Sequence, residues 1–282
     1  MFLDDVRVVT IALNLPGPAA CSRLRDWGAT VVKIEPPGGD PLEAYAPAWY
    51  RELHAGVSRH RLDLKATADR ERFDALLREA DLLVTAQRPA ALARLGLAPE
   101  ALQAAFPRLC LLRIVGHAPP DEDAAGHDLT YLAAHGLVSP GALPPTLFAD
   151  MAGAERAAGM ALALLHARDR TGRGAAGDVA LADAAEWLAL PRRHGLTGPG
   201  TLLGGAHAGY NLYRASDGWI ALAALEPHFA RRVMEAFSLP SLERDALASR
   251  FAAHPVAHWV RWAGERDIPL VRLDDSVSQP LP

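Results

Sequence analysis

The stretch V6-R-V-V-T-I-A-L13, P16-G-P-A-A-C-S-R-L-R-D-W-G28, T30-V-V-K-I-E35 decides the fold class. Residues 6–13 form a short apolar, β-branched run, the composition of a strand buried on both faces. Residues 16–28 have helical composition and stop at Gly28. Residues 30–35 repeat the strand pattern and end in the turn signal P36-P-G-G-D-P41. Strand, helix and strand within thirty-odd residues match a right-handed βαβ unit. The alternation continues downstream. Residues 61–65 read as a strand, 66–80 as a helix, 81–86 as a strand, 99–109 as a helix ending near Pro107, and 110–116 as a further strand. Strands alternating with helices predict an open α/β sheet.

After Gly116 the pattern changes. Residues 128–138 read as a helix and 139–150 as a turn-rich stretch. The longest helical run is 151–170, apolar on most sides and therefore buried, with a glycine stop in T171-G-R-G174. Residues 177–190 read as a strand feeding a helix. The Gly- and Pro-rich segment 191–209 reads as a linker. Beyond it, 211–225 predicts a hairpin turning at Ser216-Asp217-Gly218, followed by amphipathic helices at 226–237 and 254–266 and a last strand at 268–274. The expected division is a large domain over 1–190, a linker over 191–209 and a small α+β domain over 210–282.

Composition narrows the function classes. Half of the 282 residues are hydrophobic and 22% are charged, which excludes wholesale disorder. A net charge of −4 gives no basic excess for a nucleic-acid backbone, so no nucleic-acid partner is expected. Lysine occurs only at Lys33 and Lys65, a bias toward arginine that reflects codon usage rather than function. Cys21 and Cys110 are too few for a disulfide scaffold or a four-cysteine zinc site, and no metal is expected. Asp4 and Asp5 stand where a signal peptide needs positive charge, and no apolar run reaches the roughly 20 residues of a membrane helix. The expectation is a cytoplasmic protein without a membrane partner.

Three residues invite a chemical reading beside a plain one. Asp150 precedes the long helix, where aspartate is a good N-cap. His127 is one of eleven histidines and, taken alone, has no preferred role. Glu226 precedes Pro227 and reads as a first-turn acid with proline at the first helical position.

The ordered set 15–41, 61–65, 87–109, 126–138, 147–185 and 224–229 resembles the family III CoA-transferases, the group that also contains α-methylacyl-CoA racemases. The resemblance runs from Val6 to about Leu273. It implies a Rossmann-like large domain that binds CoA, a smaller α+β domain and an interlocked homodimer. The family's active site lies between the large domain of one chain and the small domain of the other. It also implies that Asp150 is the catalytic aspartate: an acid/base toward the α-carbon in racemases, a covalent acyl anhydride in transferases. At a helix N-terminus, free N–H groups would then also hold a thioester oxygen as it becomes an enolate.

Gly-His-Asp followed by an aromatic residue is similar to the racemase branch, where His127 would be the second base. Epimerisation needs a proton removed on one face and delivered on the other, and imidazole with a perturbed carboxylate forms a suitable pair. Asp128 reads as capping or anchoring the next helix. Glu226 matches the glutamate that hydrogen-bonds this histidine from the partner's small domain and raises its pKa. Arg88 matches an arginine-proline pair along the CoA cleft, and Lys33 a position near the nucleotide. Gly38 and Gly39 serve the same loop or merely turn the chain. Coenzyme A is expected as part of the substrate, with no separate cofactor.

The sequence also departs from the family pattern. Ala55 and Val57 stand where the family carries Arg and Lys, with Arg59 and Arg61 nearby as substitutes. The loop 116–123 holds three acids near the expected path of an anionic ligand. The chain stops at Pro282, where family members return to the large domain, so a longer homologous subunit is a further expected partner. Three functions remain open: α-proton transfer on a 2-methylacyl-CoA, CoA transfer through an Asp150 anhydride, and CoA-ester binding without catalysis.

Overall fold

The computed structural model describes residues 1–273. Its contacts divide the chain into two compact units, Met1–Ala189 and a second beginning at Leu190.

The first unit is built on six strands: β1 (Arg7–Thr10), β2 (Thr30–Glu35), β3 (Ser58–Arg61), β4 (Leu82–Thr85), β5 (Cys110–Val115) and β6 (Ala176–Ala180). All neighbours are parallel, in the order β3-β2-β1-β4-β5-β6. The helices are α1 (Pro16–Asp26), α2 (Pro41–Tyr45), α3 (Pro47–Leu53), α4 (Thr67–Glu79), α5 (Pro89–Arg94), α6 (Pro99–Ala105), α7 (Asp128–Ala134), α8 (Phe148–Thr171) and α9 (Leu181–Arg193). The Rossmann-like open sheet is therefore present.

Successive strand residues feed opposite cores, as pleating requires. Val8, Val84, Leu112 and Ile114 face a core shared with α1, α3, α7 and α8. Val9, Ile11, Ile34, Leu83 and Leu111 face a second core shared with α4, α5 and α6. Coverage on both faces explains the near-continuous apolar strands. α8 buries a small-residue face, Ala149, Gly153, Ala154, Ala157, Ala158 and Ala161, and packs against α1. It ends at Gly172, whose φ of 72° is the left-handed conformation favoured at helix C-termini.

Some boundaries differ from the sequence expectation, for identifiable reasons. β3 lies at Ser58–Arg61 rather than 61–65, because it is an edge strand with every residue exposed and so carries no apolar run. α6 stops at Ala105, ahead of Pro107. α7 stops at Ala134, where Gly136 takes φ 70° and Leu137 N–H returns to the Leu132 carbonyl at 2.9 Å. α8 starts three residues early, at Phe148, for a reason that belongs to the site.

The second unit holds an antiparallel sheet β7-β8-β9: β7 (Tyr210–Arg214), β8 (Trp219–Ala223) and β9 (Leu270–Arg272). It also holds α10 (Pro227–Phe237), α11 (Arg244–Phe251) and α12 (Val256–Gly264). The hairpin closes with Ala215 N–H on the Gly218 carbonyl at 2.9 Å. The unit has its own aromatic core, in which Phe237 stacks on Trp262 at 4.8 Å and Phe251 meets Trp259 edge-on at 5.1 Å. The Trp259 indole N–H donates to the Phe251 carbonyl at 2.7 Å, so the ring is buried with its polar atom satisfied. Asp274, placed by sequence in the last strand, lies outside the described residues.

Two glycines test this packing. Gly17, in the first turn of α1, sits against Ala12, and a Cβ there would overlap the Ala12 side chain. Gly159 lies on the exposed face of α8 with open space around it. Gly17→Ala should destabilise by about 1–3 kcal/mol through overpacking. Gly159→Ala should stabilise by about 0.5–1 kcal/mol through helix propensity. Urea denaturation of both variants checks the opposite signs.

Candidate active site

In open α/β sheets, ligands bind beyond the carboxyl ends of the strands where the strand order reverses. Here the order reverses between β1 and β4, and a cavity of about 870 Å³ opens there. Asn14 and Leu15 after β1, Gln87 and Arg88 after β4, and Gly116 after β5 form its floor and sides. His127, Asp128, Tyr131 and Asp150 complete the polar lining, while Leu129 and Leu147 add apolar surface.

Asp150 is not the N-cap expected from sequence. It is the third residue of α8, and the N-cap position is Leu147, whose side chain caps nothing. The cap comes from a distance. One oxygen of Asp128, at the start of α7, accepts the backbone N–H of Ala149 at 2.7 Å and of Asp150 at 3.0 Å. Those two N–H groups are therefore taken. Neither of them is free for an enolate oxygen. A capped first turn also explains why α8 begins at Phe148.

The same bond sets the electrostatics. A carboxylate in a helix first turn is ordinarily favoured by the helix dipole. Burial opposes ionisation of Asp150, and the neighbouring Asp128 carboxylate opposes it further, so its carboxyl is pushed up to about 6. Tyr131, buried against Gly116 and Gly126, has its phenol pKa raised by burial and then by the Asp150 charge. A Cβ on either glycine would overlap the Tyr131 ring or hydroxyl, which accounts for glycine at both positions.

His127 immediately precedes Asp128 and occupies the N-cap of α7 in extended conformation, exposed to the cavity. Thr130 fixes its backbone: the hydroxyl accepts His127 N–H at 3.0 Å and donates to the His127 carbonyl at 2.8 Å. Since Asp128 touches the Asp150 N–H, anchoring α7 on α8 brings His127 and Asp150 to one wall. Arg88 stands exposed at the N-cap of α5 on the same cavity.

The remaining expected residues lie elsewhere. Glu226 is in the second unit, exposed, as N-cap of α10 with Pro227 at the first helical position. Lys33 is wholly buried and does not line the cavity. Its ammonium is bound by Asp40 and by His54 Nε2 at 2.8 Å. Arg59 donates to the Tyr50 hydroxyl at 2.9 Å, and Gly38 and Gly39 form the turn after β2; none of the three lines the cavity. Sequence reasoning passed over Asn14, Gln87 and Tyr131. The signal for the first two was position alone: each lies in the loop after a strand flanking the reversal point.

The family model for CoA-transferase family III matches residues 3–276. The chain belongs to CoA-transferase family III. This family III chain is 32% identical to cinnamoyl-CoA:phenyllactate CoA-transferase of Clostridium sporogenes over 86% of its own length and 66% of that protein's. It is 30% identical to succinyl-CoA–D-citramalate CoA-transferase of Chloroflexus aurantiacus over 89% and 68%. It is 32% identical to α-methylacyl-CoA racemase of Homo sapiens over 86% and 66%. The chain thus spans about two thirds of these relatives' length. Its fold is similar to that of a CaiB/BaiF family protein from Brucella suis, with a TM-score of 0.79 at 22% identity, covering 98% of this chain and 86% of that one.

The raised Asp150 pKa has a consequence for stability. A carboxyl whose pKa is higher folded than unfolded contributes fully below its unfolded value, and loses that contribution as pH rises through the folded value. Asp150 moves from 3.8 to about 6, so the loss falls between about pH 4 and 6. Asp150→Asn cannot ionise and should be more stable than the parent at pH 8, by about 1 kcal/mol after allowance for partial exposure, and equal to it at pH 4. Melting temperatures at the two pH values give the check.

Proposed function

We propose that this chain acts on acyl-CoA thioesters by racemase-type α-proton transfer, with His127 and Asp150 as the two proton carriers. One observation carries the proposal: both groups line one cavity, held by the adjacent Asp128, and the Asp150 carboxyl is pushed up to about 6. A general acid–base works best with a pKa near the operating pH. One group removes the α-proton, giving an enolate on the thioester, and the other returns a proton to the opposite face. In this reading Arg88 meets CoA phosphates, and Leu129 and Leu147 contact the acyl chain. Arg59 and the Gly38–Gly39 turn serve the nucleotide end, and CoA arrives only as part of the substrate. The working protein is a homodimer in which Glu226 of a second copy orients His127.

A second reading, CoA transfer, is supported by the names of the Clostridium and Chloroflexus relatives. There the Asp150 carboxylate attacks the thioester carbonyl and expels the CoA thiolate, forming an acyl anhydride. The acceptor carboxylate displaces the donor acid at the Asp150 carbonyl, and the thiolate then attacks the acceptor's acyl carbon, forming the new thioester and freeing Asp150. This path needs no His127. The discriminating experiment incubates the protein with a 2-methylacyl-CoA in deuterated water, then with an acyl-CoA and a free carboxylic acid. The expected outcome is deuterium at the α-carbon. His127→Ala should lower exchange from one enantiomer by about 10²–10⁴-fold, while Asp150 still exchanges the proton it faces in the other. CoA appearing on the acid without α-deuteration would contradict the proposal and favour transfer. Neither product would leave a CoA-ester-binding protein.

A further inference from the structure

Behind the cavity wall lies a buried polar network that neither proton carrier touches. Lys33 on β2 has no exposed surface. Its ammonium binds one oxygen of Asp40 and lies 3.6 Å from the Glu35 carboxylate. His54 Nδ1 faces the Tyr50 carbonyl at 2.6 Å, which leaves Nε2 as the acceptor from Lys33. The other oxygen of Asp40 accepts two backbone N–H groups, from Leu42 at 2.9 Å and from Asn14 at 3.0 Å. The first bond caps α2. The second reaches across to the turn between β1 and α1.

Asn14 has φ 63°, the left-handed region that a non-glycine residue enters at a cost. The Asp40 bond holds it there. Its side-chain oxygen accepts the Tyr45 hydroxyl at 2.9 Å. Asn14, Leu15, Leu42 and Tyr45 all line the cavity. The Tyr45 phenol has its pKa raised by burial, then by Asp40 and Asp150, so it stands in the electrostatic field of both carboxylates.

A buried ion pair can often be replaced by apolar packing at little cost to stability. Stability alone therefore does not account for placing a wholly buried ammonium behind a ligand cavity. What the pair does provide is aim. With Lys33 fixing one oxygen, Asp40 presents the other to Asn14 and Leu42 at once.

We infer that Lys33 and Asp40 are positioning residues that hold Asn14 and Tyr45 as a hydrogen-bonding wall for the acyl-CoA, setting its affinity rather than the rate of the chemical step. The inference rests on the assignment of the cavity to acyl-CoA. Lys33 is then a binding determinant without touching the ligand.

The test uses three variants: Tyr45→Phe, which removes the hydroxyl and its hydrogen bond to Asn14; Asn14→Gly, which keeps the left-handed turn; and the double variant Lys33→Met/Asp40→Asn, which removes both partners of the buried pair and leaves Glu35 paired with Arg61 at 3.9 Å. Dissociation constants for free CoA and a 2-methylacyl-CoA are measured by titration calorimetry below the melting temperature, alongside kcat and KM. Each variant should weaken acyl-CoA binding by about 3–10-fold, the scale of one lost hydrogen bond, with KM rising and kcat within about twofold. Tyr45→Phe should do so without change in melting temperature. Parent-like dissociation constants in Tyr45→Phe and Asn14→Gly would overturn the inference, even if the double variant melts earlier or does not fold. A parent protein that binds neither CoA nor its ester would remove the cavity assignment itself, and the inference with it.

Discussion

One carboxylate oxygen of Asp128 accepting the first N–H groups of α8 is the bond on which the site depends. It joins two helices that start 20 residues apart in sequence, Asp128–Ala134 and Phe148–Thr171. It occupies the helix end that would otherwise favour an ionised Asp150. It also fixes the neighbouring His127 beside the cavity. Capping, pKa and placement thus follow from a single contact between a buried acid and two amides.

The sheet supplies the setting. Parallel strands covered on both faces leave their carboxyl ends as the open surface, and the reversal between β1 and β4 parts the loops there. The turn after β1 is shaped from behind by Asp40 and Lys33, and the end of β5 by Tyr131 against Gly116 and Gly126. Interior polar groups on β2 and α2 therefore act on the cavity through backbone N–H groups.

Much of this was legible in the sequence, and the parts that were not share a cause. Apolar runs marked β1, β2, β4 and β5, because burial on both faces leaves a compositional trace. The edge strand Ser58–Arg61 left none, since it is paired on one side and exposed throughout. The Gly-His-Asp triplet and Asp150 stood out through family resemblance, and the structure places His127 and Asp150 on one cavity. The capping role went to the wrong acid, because sequence proximity favours a local cap whereas Asp128 reaches α8 through the tertiary fold. Lys33 looked like a ligand contact by its position in the second strand, yet burial and Asp40 turn it inward. Long-range pairing of this kind has no local pattern to read.

The central claim is that Asp128 and burial together tune Asp150 for proton transfer. Carbon-13 carboxyl NMR titration of the parent and of the Asp128→Asn variant tests it directly. The amide oxygen of the substituted side chain can still accept the N–H groups of Ala149 and Asp150, so the variant removes charge and keeps the cap. The account predicts that Asp150 titrates near 6 in the parent and clearly lower in the variant. Titration of Asp150 at an ordinary carboxylate value in both proteins would contradict it.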